Sequence, residues 1–234
     1  MFAGPLGGMV GVMSHAANRY FGPPLLVPGA VYVGAFVVAI GLGVAAGIFG
    51  TPSTSADDVV ASVAGHHGVA GAVFVLQLVA ALALGVWSAA VTSAIRARGI
   101  DVAALRIARF GGYGASMLLA LSAVFGWATG ELAVDGFAEA AKATSLLAFA
   151  AGGPAHVMFL GVLVAGVSVP ALLSGLLPRW IGIFGLVLAA VAAIAVLSLA
   201  ITPLQFLLPV VRFPSIVWLL AVAITLPLKG TRNV

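Results

Sequence analysis

The chain has no cysteine and very little charge. Only 7% of its 234 residues are Asp, Glu, Lys or Arg, and six are acidic. The first absence excludes disulfides, thiolate metal sites and thiol nucleophiles. The second excludes a wetted globular surface, because a soluble domain carries about 25% charged residues. With 63% hydrophobic residues and a mean hydropathy of +1.25, the solvent for most of this chain is lipid.

Other absences narrow the function. No Asp, Glu or Lys stands near the middle of a long apolar run, which argues against a proton- or ion-coupled pump. There is no phosphate loop, dinucleotide fingerprint or Ser/His/Asp set with usable spacing. The net charge of +4 forms no basic stripe, so no nucleic-acid partner is expected. The first residues lack a charged segment followed by an apolar core and a small-residue cleavage site, so a cleaved signal peptide is not expected.

What is present is a series of apolar runs. A spanning helix needs about 20 such residues, and six runs reach that length, near 26–49, 68–95, 107–130, 154–176, 180–201 and within 204–228. The expected fold is therefore an all-α integral membrane protein. It comprises an interfacial arm over residues 1–25 and one six-span bundle over 26–234. Small residues recur at helical spacing in three spans: Ala35, Ala39, Gly43 and Gly47; Gly112, Ser116 and Ala120; Gly185, Ala189 and Ala193. In lipid, helices associate by close backbone approach and dispersion, so these stripes read as seams.

The few charges set an orientation. Arg19, Arg96, Arg98, Arg106, Arg109, Arg179, Lys229 and Arg232 all fall on one side of a six-span arrangement. By the positive-inside rule that side is the cytoplasm. Both termini are then cytoplasmic, and the Ala, Val and Gly bias suits a bacterial inner membrane. The opposite side receives Asp57, Asp58, His66, His67, Glu131, Asp135, Glu139, Lys142, His156 and Arg212. On that side, Ser55 followed by Asp58 is a capping signature for a short helix that ends near Gly65. "DGFAEAAKATSLLAFAAGG" reads as a second outer-leaflet helix, with Asp135 as its cap and Glu139 and Lys142 as neighbours on one face. Pro154 suits the first turn of the following span.

Residues 174–194, "SGLLPRWIGIFGLVLAAVAAI", and 212–226, "RFPSIVWLLAVAITL", resemble the C-terminal half of a bacterial family of multi-pass membrane proteins known as domain of unknown function, number 4386. The shared pattern is Ser174, Pro178-Arg179-Trp180 and Gly182 opening one span, with Pro214 and Trp218 opening the last. The resemblance covers the last two-thirds of the chain. It implies a six-helix bundle and carries no catalytic residue.

Reactive side chains concentrate on the outer side. His66, His67, His156 and Glu131 are a candidate ligand set for zinc or another divalent ion, and two of the histidines are candidates for haem. The competing reading is that these imidazoles mark the half-wet membrane boundary. Arg212 lies near or just below the outer boundary. It is expected to snorkel to headgroups or pair with Glu131 or Asp135, with an anion contact as the alternative. Gln77 falls near the midplane, where an interhelical hydrogen bond is expected.

Together these features favour a non-enzymatic membrane protein. It would bind a small lipophilic ligand under the outer helices, lined by Trp127, Phe149, His156, Arg212, Glu131 and Gln77, or serve as an accessory subunit of another membrane protein. A homo-oligomer also fits. The alternatives are a metal- or haem-dependent enzyme at the outer face and a facilitative transporter or channel.

Overall fold

With no water to satisfy peptide groups in a bilayer core, a spanning segment must close its hydrogen bonds internally. The computed structural model describes Tyr20 and residues 22–226, and these fold into helices joined by short turns. The order is α1 (Leu26–Ala45), α2 (Ala56–Ala64), α3 (His67–Arg96), α4 (Ala103–Val134), α5 (Ala138–Ala150), α6 (His156–Ser174), α7 (Arg179–Ala195) and α8 (Leu207–Thr225). Among the described residues, six helical segments are long and apolar enough to cross a membrane. The chain is a polytopic, all-α membrane protein. Most of the expected arm, with Arg19, and the terminal Lys229 and Arg232 lie outside the described residues.

Paired positions give the topology. Gln77 meets Ser122, Ala81 meets Ser116 and Thr92 meets Arg109, so α4 rises as α3 descends. Thr129 bonds Thr144, Ser122 bonds Ala148 and Ala115 bonds His156, which carries an antiparallel pairing of α4 along α5 and on into α6. The loops after α3 and α6, in or beside which Arg96, Arg98, Arg106, Arg109 and Arg179 lie, therefore share one end of the bundle. The α1–α2 loop, α2 and the α4–α5 turn occupy the other, here called the cap end. Apolar side chains face outward on the spans, Leu82, Phe110, Met117 and Ile224 among them, as a lipid-facing surface requires.

Local chemistry explains several boundaries. Gly47 and Gly175 sit at positive φ (65° and 67°) where α1 and α6 end, a conformation open to glycine. Ser55 Oγ accepts from the Asp58 N–H at 3.1 Å, the expected cap of α2, and the helix breaks at Gly65 as its sequence anticipates. Lys142 does not pair with Glu139. Its Nζ donates to the carbonyls of Thr51 and Pro52 and pins the α1–α2 loop to α5. Asp135 ends α4 rather than capping α5, whose first turn follows Phe137.

The main departure from the sequence reading is at Gly152-Gly153-Pro154. These residues look like a helix stop, yet the helix runs on from Ala138 to Ser174, 37 residues in all. Ala151–Ala155 form a single π turn that links α5 to α6. The wider turn accommodates Pro154, which has no N–H to give. The segment expected as a separate outer-leaflet helix is thus the cap-end part of the fourth span. At 1.5 Å per residue this helix rises about 55 Å against a hydrocarbon core of about 30 Å. Its α5 end therefore projects past the apolar layer, beside Glu131 and Asp135.

The small-residue stripes act as seams in part. Gly112 and Ser116 face α3, with Ser116 Oγ donating to the Ala81 carbonyl at 2.6 Å. Gly185 faces Ser168 and Trp218. Gly43 is covered by Phe49, which folds back from the α1–α2 loop. The tightest seam was not among them: Gly111 and Gly166 bring α4 and α6 into backbone contact. Beneath the cap, Trp87 and Trp218 pack edge to face, ring centroids 6.2 Å apart, in the core at the arginine-rich half.

Candidate functional site

Three apolar clusters organise the bundle, one under the cap around Val63, Val73 and Phe74, one around Trp87 and Trp218, and one around Val157 and Leu208. Where they meet they leave a partly open cavity of about 230 Å³. α1 contributes Phe36, the α1–α2 loop Phe49, α3 Phe74 and Gln77, α4 Ser122, α5 Phe149, the π turn Gly152, and α8 Arg212.

One wall is hydrogen-bonded throughout. Gln77 Nε2 donates to Ser122 Oγ at 3.0 Å, and Ser122 Oγ donates to the Ala148 carbonyl at 2.9 Å. This is the interhelical bond expected of Gln77, extended to a third helix. Ser122→Ala breaks both links and should lower stability by about 1–2 kcal/mol, read as a shift of the unfolding midpoint in detergent.

α8 brings Arg212 to the same cavity. The N–H of His156 bonds the carbonyls of Ala151 and Gly153, not that of Gly152. The π turn thus frees the Gly152 carbonyl from its usual helical partner, and Arg212 Nη2 donates to it. The guanidinium also lies over the Phe36 ring, 5.4 Å from its centroid. Arg212 Nε is enclosed with no partner. All six acidic residues are described, and none pairs with Arg212: among the described residues the two ion pairs are His67–Glu131 and Arg96–Asp101, each at 3.2 Å. Arg212 meets neither Glu131 nor Asp135. It is a partly buried cation with a carbonyl and an aromatic face but no counter-ion.

His156 is displaced furthest from expectation. It was placed at the outer boundary, but it is fully buried midway along the 37-residue helix. The cause is the π turn: the helix does not start at Pro154, so His156 is carried inward. Its Nδ1 donates to the Ala115 carbonyl at 2.9 Å, since a carbonyl only accepts, and Nε2 is without a partner. The Tyr32 hydroxyl, on the same α1 face as Phe36, is likewise buried and unpartnered. Arg212 is within electrostatic reach of both.

Of the six residues expected to line a pocket, Phe149, Arg212 and Gln77 do so. His156 lies outside the lining. Trp127 is 55% exposed on the outer face of α4, and Glu131 stands at the rim with its side chain 47% exposed. The proposed metal set is not assembled. His67 Nε2 meets Glu131, His66 Nδ1 turns back to the Ser62 carbonyl, and His156 is buried elsewhere. Among the described residues no three His, Asp or Glu come together. Phe36, Phe49, Phe74, Ser122 and Gly152 are among the lining residues that sequence reasoning missed. The Gly-Gly-Pro run was the available signal for Gly152, since a proline inside a span frees backbone groups that other side chains then satisfy.

Compared with family models, curated proteins and solved structures, the chain matches none.

Proposed function

We propose that this protein binds a small lipophilic molecule in the cavity beneath its cap. The observation that carries the reading is the cavity itself, about 230 Å³ of space walled by Phe36, Phe49, Phe74 and Phe149 with Gln77 and Arg212 as polar fixtures. An apolar recess with a few convergent polar groups is the usual form of a small-molecule site. Polar atoms left unpaired in a bundle cost free energy unless water or a ligand satisfies them. Arg212 Nε, on a residue that lines this recess, is such an atom.

The neutral dye 1-aminoanthracene tests the reading. It should gain fluorescence on binding the purified protein in detergent. Ala148 lines the cavity, so Ala148→Trp should abolish that gain while the protein remains helical. A gain of equal size in the variant would place the dye elsewhere and reject the proposal.

The same proposal extends to location. The chain belongs in a bacterial inner membrane with its arginine-rich end in the cytoplasm, and its resemblance to the family of domain of unknown function 4386 fits that placement. Because the chain has no cysteine, an introduced one is the only thiol. A membrane-impermeant maleimide should label Ser53→Cys in intact spheroplasts and Val102→Cys only after lysis. The reverse pattern would invert the topology.

A further inference from the structure

We infer that the ligand of this cavity is a single-chain amphiphile with an anionic head, carboxylate or phosphate, held by Arg212. The inference rests on the ligand-binding reading above and names the class of molecule. It begins from charge. A guanidinium has five donors and keeps its proton, so it stays cationic wherever the fold places it. Here it is placed on the wall of an apolar cavity, with the Gly152 carbonyl as its hydrogen-bond acceptor and the Phe36 ring beneath it. None of the six acidic side chains reaches it.

An ionised side chain inside a membrane is costly, and such residues pair with one another or mark a ligand path. Arg212 lacks the pair. The loop residues Ile48, Phe49 and Gly50 line the same cavity as Arg212.

An anion entering the cavity supplies the missing counter-charge. Charge-assisted hydrogen bonds to Arg are the strong ones, and the planar fork suits carboxylate and phosphate alike. The remaining walls are ring faces and aliphatic chains, which suit a hydrocarbon tail. The volume of about 230 Å³ is below the usual range for drug-sized sites and too small to enclose a two-chain lipid. A short single chain with an acidic end fits both the polarity and the size.

The experiment displaces 1-aminoanthracene with octanoate, octyl phosphate and methyl octanoate, using full-length protein in a zwitterionic nanodisc. The two anions should displace the dye at about tenfold lower concentration than the ester. In Arg212→Gln, which keeps a donor for Gly152, that preference should vanish, read as the ratio of the ester's displacing concentration to the anion's within the variant, from which any change in dye affinity cancels. Arg212→Lys should keep part of the preference. Selection of either anion over the ester that disappears in Arg212→Gln supports the inference, and the stronger of the two identifies the head. A protein that binds the dye but treats acid and ester alike overturns the anionic head and leaves the pocket standing. Failure to bind dye or acid overturns both.

Discussion

Gly166→Leu is expected to leave little folded protein. A Cβ at Gly166 would come within 2.7 Å of the Ala104 carbonyl oxygen and the Ala108 nitrogen, and one at Gly111 within 2.9 Å of the Phe159 carbonyl oxygen. These are backbone atoms of the facing helix, and a backbone cannot rotate away as a side chain can. Overpacking that side chains absorb costs about 1–3 kcal/mol. Here the helices themselves must part, so the cost lies at the top of that range or above it. A membrane bundle has no hydrophobic effect to force them together again. The loss should appear as a collapsed yield of monodisperse protein and a lowered unfolding midpoint. Gly34→Leu is the control, because a Cβ there meets nothing within 4 Å. Equal stability of the Gly166 variant and that control would refute the α4–α6 seam.

Trp218→Ala should cost about 3–5 kcal/mol, the range for emptying a large buried aromatic site. Trp218 is 1% exposed, packs against Trp87 at an interplanar angle of 66° and donates from Nε1 to the Ile181 carbonyl at 3.1 Å. One side chain thus ties α8 to both α3 and α7. Trp218→Phe keeps most of the packing and leaves the Ile181 carbonyl without this donor, so it should lose much less. The cavity lies toward the cap, away from Trp218, so dye binding should survive wherever the variant folds. A smaller loss in Trp218→Ala than in Trp218→Phe would mean that packing is not what this residue supplies.

These two positions show what the sequence made legible. Apolar length and the placement of arginines were sufficient for six spans and their alternation, because both are set by the bilayer rather than by tertiary detail. Ser55 and Gly65 were readable for the same reason, since caps and breaks are local. Gly166 was not, because a glycine in an apolar run carries no sign of which helix it faces. Trp218 was read as opening the last span, yet it stands deep within α8, which begins eleven residues earlier at Leu207.

The site was legible in composition and not in depth. Phe149, Arg212 and Gln77 were expected around a pocket under the cap and line it. His156 was misplaced because Gly-Gly-Pro has the chemistry of a helix end, and a π turn that carries a proline through a span leaves no separate trace in hydropathy. Trp127 was assigned inward on its position along the span, whereas which side of the helix it occupies is a matter of rotation. That rotation turns it to the lipid-facing surface. Glu131 and His67 were read as ligands in common with His156. They meet each other at the rim because α3 and α4 are antiparallel neighbours there, and His156 belongs to a different level.

The central claim is that an open recess sits beside Arg212 and takes an anionic amphiphile. Its most direct test is the rate at which a small maleimide alkylates Ala148→Cys, the sole thiol in such a protein, on the cavity wall. The account predicts measurable alkylation that saturating octanoate slows about tenfold, with the protection lost when Arg212→Gln is added. An alkylation rate that octanoate leaves unchanged in the Arg212 protein would contradict it.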